Sequence, residues 1–137
     1  MEKSMTPSAA NGIVSIRSPH DFASTVQRLL AAFASHGLKV FATIDQQAEA
    51  AAVGLAMPPA TLILFGNPKA GTPVMLEQPL AALDLPLKVL ATEAAAGEVM
   101  VSFNAAAYIV QRHALSAGLA NNLLPAERVI AGAVATG

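Results

Sequence analysis

Between Glu49 and Lys69 the chain runs through nineteen residues without a single charge. A run of that length either crosses a membrane as one helix or is broken up and buried inside a folded domain. The punctuation decides. Gly54, Pro58, Pro59, Gly66, Asn67 and Pro68 divide the stretch into a short helix, a turn and a strand, and no continuous helix survives two adjacent prolines. The reading is a buried segment of a soluble domain, with no membrane span.

At 137 residues the chain supports one core, since about two-thirds of its unfolded surface is buried on folding. The expected organisation is a flexible N-terminal tail over residues 1–12 and one domain over residues 13–134. Residues 1–12 are polar and lack the apolar stretch of a secretory signal. Hydrophobic residues make up 54%, but thirty are alanines, and only 12% of residues are charged, against about 25% in an average domain. So few charges leave apolar surface exposed, which points to a homo-oligomer, most simply a two-fold dimer. The four lysines and four arginines stand singly, so nothing resembles the clustered cations that nucleic acid or an anionic membrane requires. With no cysteine, disulfides, thiolate metal sites and a cysteine nucleophile are excluded. The expected setting is cytoplasmic.

The expected fold class is α+β, a two-layer arrangement of helices on a mixed five-stranded sheet in the order β-α-β-α-β-α-β-β-α-α. A first strand covers Ile13 to Arg17. A helix follows, with Ser18 as N-cap, Pro19 in its first position, and Phe22, Val26, Leu29, Leu30 and Phe33 on one face; Gly37 ends it. Leu38, Val40, Ala42 and Ile44 alternate with polar or larger neighbours as a half-buried strand. Asp45 caps a short alanine-rich helix. Thr61 to Phe65 reads as a strand covered on both faces. Thr72-Pro73 starts a further helix by cap-then-proline logic, after a loop from Gly66 to Gly71. Leu87 to Thr92 and Val99 to Phe103 form a hairpin across Ala94–Gly97. Asn104 caps a helix to about Leu115, and Gly118 and Pro125 bound a last helical stretch to about Val134.

Two places carry candidate chemistry. The segment Gly66-Asn67-Pro68-Lys69-Ala70-Gly71-Thr72-Pro73 imitates a phosphate-binding loop between strand and helix. Its lysine, Lys69, precedes the second glycine instead of following it, and Pro68 and Pro73 remove two N–H donors. ATP hydrolysis is therefore set aside. An anion or carboxylate site using Asn67, Lys69 and Thr72 stands beside the plainer reading of a turn shaped by glycine and proline. The second place is the helix after Asn104, where Tyr108 and Arg112 lie four apart and His113 follows. A phenol, a guanidinium and an imidazole within two turns suit an anionic ligand or acid–base work. The competing reading is a tyrosine packed under the sheet with its hydroxyl bonded. His20, His36 and His113 are isolated and no zinc spacing occurs, so no metal and no cofactor are expected. No G-x-S-x-G elbow is present.

The blocks Leu64-Phe65-Gly66-Asn67-Pro68-Lys69-Ala70-Gly71-Thr72-Pro73, Leu83-Asp84-Leu85-Pro86-Leu87-Lys88, Val101-Ser102-Phe103-Asn104 and Tyr108 with Arg112-His113 together resemble the family called domain of unknown function 302. The resemblance covers residues 13–134. It implies a compact α+β domain of helices against a mixed sheet, often dimeric, and brings no activity, cofactor or catalytic set. Three alanines, Ala94 to Ala96, replace acidic residues common at that hairpin, which weakens a functional role for the turn.

Three functional readings stay open. The first is a dimeric binding or scaffold domain that accepts a small anionic ligand near Lys69, Tyr108 and Arg112. The second is an enzyme of unrecognised type in which Tyr108, Arg112 and His113 share a pocket with Lys69 or Asp84. The third is metal or haem binding.

Overall fold

A computed structural model describes residues 6–7 and 11–135 of the chain. Along it run β1 (Thr6–Pro7), β2 (Ile13–Ser18), α1 (Phe22–Ser35), β3 (Lys39–Asp45), α2 (Gln46–Ala52), β4 (Ala60–Gly66), α3 (Pro68–Glu77), a 3-10 helix (Pro79–Asp84), β5 (Leu87–Glu93), β6 (Val99–Asn104), α4 (Ala106–Arg112), α5 (Ala117–Leu123) and α6 (Pro125–Ala133). The strands form one sheet in the order β1-β2-β6-β5-β4-β3. Five long strands with helices laid against them make the α+β, two-layer fold. Of the expected tail, residues 1–5 and 8–10 lie outside the described part, while Thr6–Pro7 pair with Ser15 and Val14.

The expected mixed sheet is corrected: every pairing is antiparallel. The chain leaves β3 into α2, and the stretch after that helix brings it back into β4 at the end of the sheet where it left. Between β4 and β5, α3 and the 3-10 helix meet at Gln78 and pack on each other, so that connection also begins and ends at one end of the sheet.

Helix starts are set by whichever capping group has a backbone partner. In α1 it is Asp21, whose carboxylate accepts from the Ser24 N–H at 2.7 Å; Ser18 instead closes β2 and pairs its hydroxyl with Thr25 at 2.7 Å, both buried. Ser18-Pro19 is thus not the cap. The Ser24 N–H bond holds the Asp21 carboxyl below its ordinary value of 3.8. A depressed pKa contributes stability above the unfolded value and loses it as pH falls below 3.8. In acid titrations of stability, wild type is expected to lose this increment while Asp21→Asn, an equally good but uncharged cap, does not. The expected cap of α2 is present: Asp45 accepts from Ala48 N at 2.9 Å. Gly37, at φ +70, ends α1, with Leu38 N donating to Phe33 O at 2.8 Å.

Three further boundaries move. Helix α3 starts at Pro68 with Asn67 as its cap, so the expected loop from Gly66 to Gly71 is largely helix, and Thr72 and Pro73 lie inside it. Helix α4 is not capped by Asn104, which still belongs to β6. Its Ala106 N–H is taken at 2.6 Å by the Glu127 carboxylate of α6. The last helical stretch is two helices, α5 and α6, meeting at Leu124.

The main core lies between one face of the sheet and α1 and α6. Val14, Ile16, Ile63, Phe65, Val89, Val101 and Phe103 come from the strands, Leu29 and Phe33 from α1, and Ile130 and Val134 from the chain's last helical turns. The Phe33 and Phe65 rings stack with centroids 4.0 Å apart. A second, smaller cluster (Val74, Ala81, Ala106, Ile109, Leu115, Leu123) joins α3, the 3-10 helix, α4 and α5 beside the sheet.

Candidate functional site

An open groove of about 740 Å³ runs where the end of β4 and α3 meet the C-terminal end of α1, the start of β3, and the α5–α6 junction. Its floor is apolar: Leu38, Phe41, Phe65, Met75, Leu87 and Val129. Its polar groups are His36, Asn67, Lys69, Thr72, Asn121 and Asn122. Such a concave, mostly apolar site with a few convergent polar groups is the usual form of a small-molecule pocket.

The sequence segment that resembles a phosphate loop forms one wall, but its backbone offers no cradle. The Asn67 side chain accepts from the Lys69 N–H at 2.9 Å. The Asn67 carbonyl accepts from Ala70 N at 2.9 Å and Gly71 N at 2.8 Å, and Pro68 has no N–H to give. The first-turn donors are all spent inside the helix, so any anion recognition falls to side chains. Lys69 is exposed and makes no ion pair among the described residues. His36 donates its Nδ1 proton to the Ala32 carbonyl at 2.9 Å, which leaves Nε2 as the ring's remaining polar atom. Asn122 donates to the Ala70 carbonyl at 2.9 Å and fastens α5 to α3.

The other candidates lie elsewhere. Arg112 Nη1 approaches Asp84 Oδ2 at 3.2 Å and Oδ1 at 3.3 Å, and His113 Nε2 meets Asp84 Oδ2 at 2.6 Å. The His113 side chain is 7% exposed and that of Asp84 14%, while Arg112 is 48% exposed. Asp84 ends the 3-10 helix and Arg112–His113 end α4, so this cluster joins two short helices. The Tyr108 ring lies against Gly12, where a Cβ would collide with it. None of Tyr108, Arg112 and His113 lines the groove. Asn67, Lys69 and Thr72 are brought together on the groove wall; Arg112 and His113 form a separate cluster with Asp84; Tyr108 packs against Gly12, outside the groove.

Sequence reasoning missed His36, Asn121 and Asn122. The adjacent Asn121 and Asn122 were the available signal, two amides in a chain that otherwise spends few polar side chains. Among the described residues, no group of three His, Asp or Glu side chains is placed to hold a metal ion.

A single sheet with helices on one face and this groove at its end define a small α+β domain. The family model described as domain of unknown function DUF302 matches residues 14–135, and the chain belongs to that family. It resembles the crystal structure of an uncharacterized conserved protein DUF302 from Bacillus stearothermophilus with a TM-score of 0.76, at 17% identity, covering 91% of this chain and 97% of that one; the likeness is one of fold. It is also 41% identical over 105 residues to a protein named fluoride-specific ion channel FluC 1 from Brucella suis biovar 1, covering 77% of this chain and 41% of that protein. FluC 2 from Brucella melitensis biotype 1 matches at the same identity over 39% of its length. The chain thus spans about two-fifths of the curated relatives it matches. No helix among the described residues is long and apolar enough to cross a membrane.

Proposed function

We propose that this chain is a binding module that accepts a small amphipathic anion in the groove, its apolar body on Phe41, Phe65, Met75 and Val129 and its charged end beside Lys69 and His36. The observation that carries this reading is the combination of a 740 Å³ apolar hollow with a rim cation that has no carboxylate partner among the described residues. A catalytic reading built on Tyr108, Arg112 and His113 is less well supported, since Arg112 and His113 are engaged with Asp84 and none of the three reaches the groove. Ion conduction belongs to the names of the longer relatives and is not extended to this chain. The cysteine-free composition supports a cytoplasmic setting, and the scarcity of charge supports a homodimer.

The test is a thermal-shift and calorimetric comparison of octanoate with octanol and with inorganic phosphate. Octanoate is expected to stabilise the protein in proportion to RT ln(1 + [L]/Kd), about 2.7 kcal/mol at a hundredfold excess over Kd. Octanol should bind more weakly for want of the charge, and phosphate for want of an apolar body. Lys69→Ala is expected to weaken octanoate about 1.5- to 5-fold, the range for an exposed ion pair. Arg112→Ala should leave it unchanged. Equal binding by octanoate to wild type and Lys69→Ala would remove the anion from the proposal, and no binding of either octyl compound would remove the groove.

A further inference from the structure

An antiparallel sheet with helices on one side normally turns polar side chains to the other. Opposite the core, β2 and β6 do so with Ser15, Arg17 and Ser102, and the Ser15 and Ser102 hydroxyls bond at 2.8 Å. The neighbouring strands do not. Register places Leu62 opposite Leu90, and Ile44 and Ala42 opposite Leu62 and Leu64, all in phase with the side away from the core. Met100, opposite Thr92, borders them. These side chains are half-buried, belong to neither core cluster and line no part of the groove. Helix α2 does not seal them, since it has no buried residue.

We infer that this open face, centred on Leu62 and Leu90, receives one amphipathic, acidic helix of a partner protein. Width selects a helix. The aliphatic stripe occupies β3, β4 and β5, three strands about 4.8 Å apart and so about 14 Å across, and a helix with its side chains is about 10–12 Å across. Each of the three strands has seven residues, about 23 Å, which about fifteen residues of helix match at 1.5 Å each. The patch of about 320 Å² so outlined is well under the ~800 Å² that each partner gives to a standard interface. A second sheet finds too little apolar surface there, whereas a helix needs only one stripe for its anchors at i, i+3, i+4 and i+7. The opposite face of the same strands already takes helices in this way: Leu29 and Phe33 of α1 share one cluster with Ile63, Phe65 and Val89.

Charge sets the partner's sign. Lys88, opposite Leu64, and Lys39, opposite Gly66, stand on the open face at one end of the stripe, and neither makes an ion pair among the described residues. Asp45 and Glu93, at the other end, are in phase with the core side, opposite Thr61 and Val99, and Glu98 is paired with Arg17 at 3.3 Å. The open face therefore carries uncompensated positive charge beside its leucines. Carboxylates flanking the apolar stripe of an incoming helix meet both lysines, and such complementary charge fixes orientation more than it adds affinity. Two lysines beside a leucine patch are too few for nucleic acid or an anionic bilayer, which need clustered cations.

The probe is a synthetic helical peptide of about fifteen residues, with leucines at the i, i+3, i+4 and i+7 positions of an alanine background and glutamates on either side of them. Two companions serve as controls, one with lysines in place of the glutamates and one of the same composition in scrambled order. In calorimetry with the full chain, the glutamate peptide is expected to bind more tightly than either. Leu90→Ser should weaken it about 5-fold or more, the loss that marks a residue important to an interface. The double variant Lys39→Glu with Lys88→Glu alters no leucine, so it serves even where Leu90→Ser fails to fold, and it should turn the preference toward the lysine peptide. Leu80→Ser, in the separate exposed row of Leu76, Leu80 and Leu83, and Lys69→Ala in the groove should change nothing. A glutamate peptide that binds no better than the scrambled one, or binds folded Leu90→Ser as well as wild type, overturns the surface. An unchanged preference in the charge-reversed variant overturns the acidic partner. Light scattering that shows a wild-type dimer split by Leu90→Ser gives the face to a second copy and overturns the helix. Sedimentation with phosphatidylserine vesicles that the charge-reversed variant loses gives the face to a membrane and overturns it likewise.

Discussion

Phe33→Ala is expected to destabilise the domain by about 3–5 kcal/mol, the range for removing a fully buried aromatic side chain. Phe33 is 0% and Phe65 1% exposed, and their rings lie 4.0 Å apart at an interplanar angle of 10°. Truncation loses the transfer energy of the ring, opens a cavity between α1 and β4, and ends the aromatic contact, itself worth about 0.5–1.5 kcal/mol. The surroundings cannot collapse into the gap, because Phe65 is fixed in a strand held on both sides by β3 and β5. Total stability of a domain is about 5–15 kcal/mol, so a large part is lost. In urea, the midpoint should fall with little change in slope. Phe33→Leu, which refills most of the volume, should cost under about 1.5 kcal/mol. Phe41→Ala is the control: that side chain is 44% exposed at the sheet edge and should cost less than Phe33→Ala by several-fold. Equal losses at the two positions would mean that the stacked pair is not the centre of the core.

The contrast between two phenylalanines marks how far the sequence could be read. Spacing identified the α1 stripe, because Leu29 and Phe33 repeat at helical period and Gly37 supplies the left-handed turn that ends it. These are local signals. The strand around Val40 was legible as a strand but not as to which way its side chains point. The expected alternation set Val40, Ala42 and Ile44 on one face. The bulge at Phe41 breaks the phase, so Val40 stays with Phe65 on the core side while Ala42 and Ile44 turn to the open face. One inserted residue flips everything beyond it. The start of α3 was ambiguous for another reason: Asn67-Pro68 and Thr72-Pro73 offer the same cap-then-proline signal, and the first is used. The groove was legible only along its α3 wall. His36 comes from the end of α1, Asn121 and Asn122 from α5, and Val129 from α6, and no local pattern announces that α5 crosses in front of α3. The Asn122 bond to the Ala70 carbonyl is a fact of packing.

The cluster around Asp84 shows the same dependence, and it yields the second large expected effect. Asp84→Ala should cost about 2–3 kcal/mol, more than Arg112→Ala, which should cost under about 1 kcal/mol. The difference follows from burial. Arg112 is 48% exposed, so its guanidinium recovers water when the carboxylate is gone, as exposed pairs do. His113 is 7% exposed and meets Asp84 Oδ2 at 2.6 Å; without that acceptor a buried ring N–H is left unpaired, a penalty of about 1–3 kcal/mol. Asp84→Asn keeps one carbonyl oxygen within reach of His113 and should recover part of the loss. The His113→Ala and Asp84→Ala changes, combined in a double-mutant cycle, should be strongly non-additive, since each removes the same bond. Urea denaturation of the four single variants and the double variant checks the order. The result also bears on function: if the cluster is a latch between the 3-10 helix and α4, octanoate binding in the groove persists in Asp84→Asn under conditions where that variant is folded. A folded Asp84→Asn protein that has lost octanoate would instead tie the cluster to the binding site and reopen the reading in which Arg112 and His113 act on a ligand.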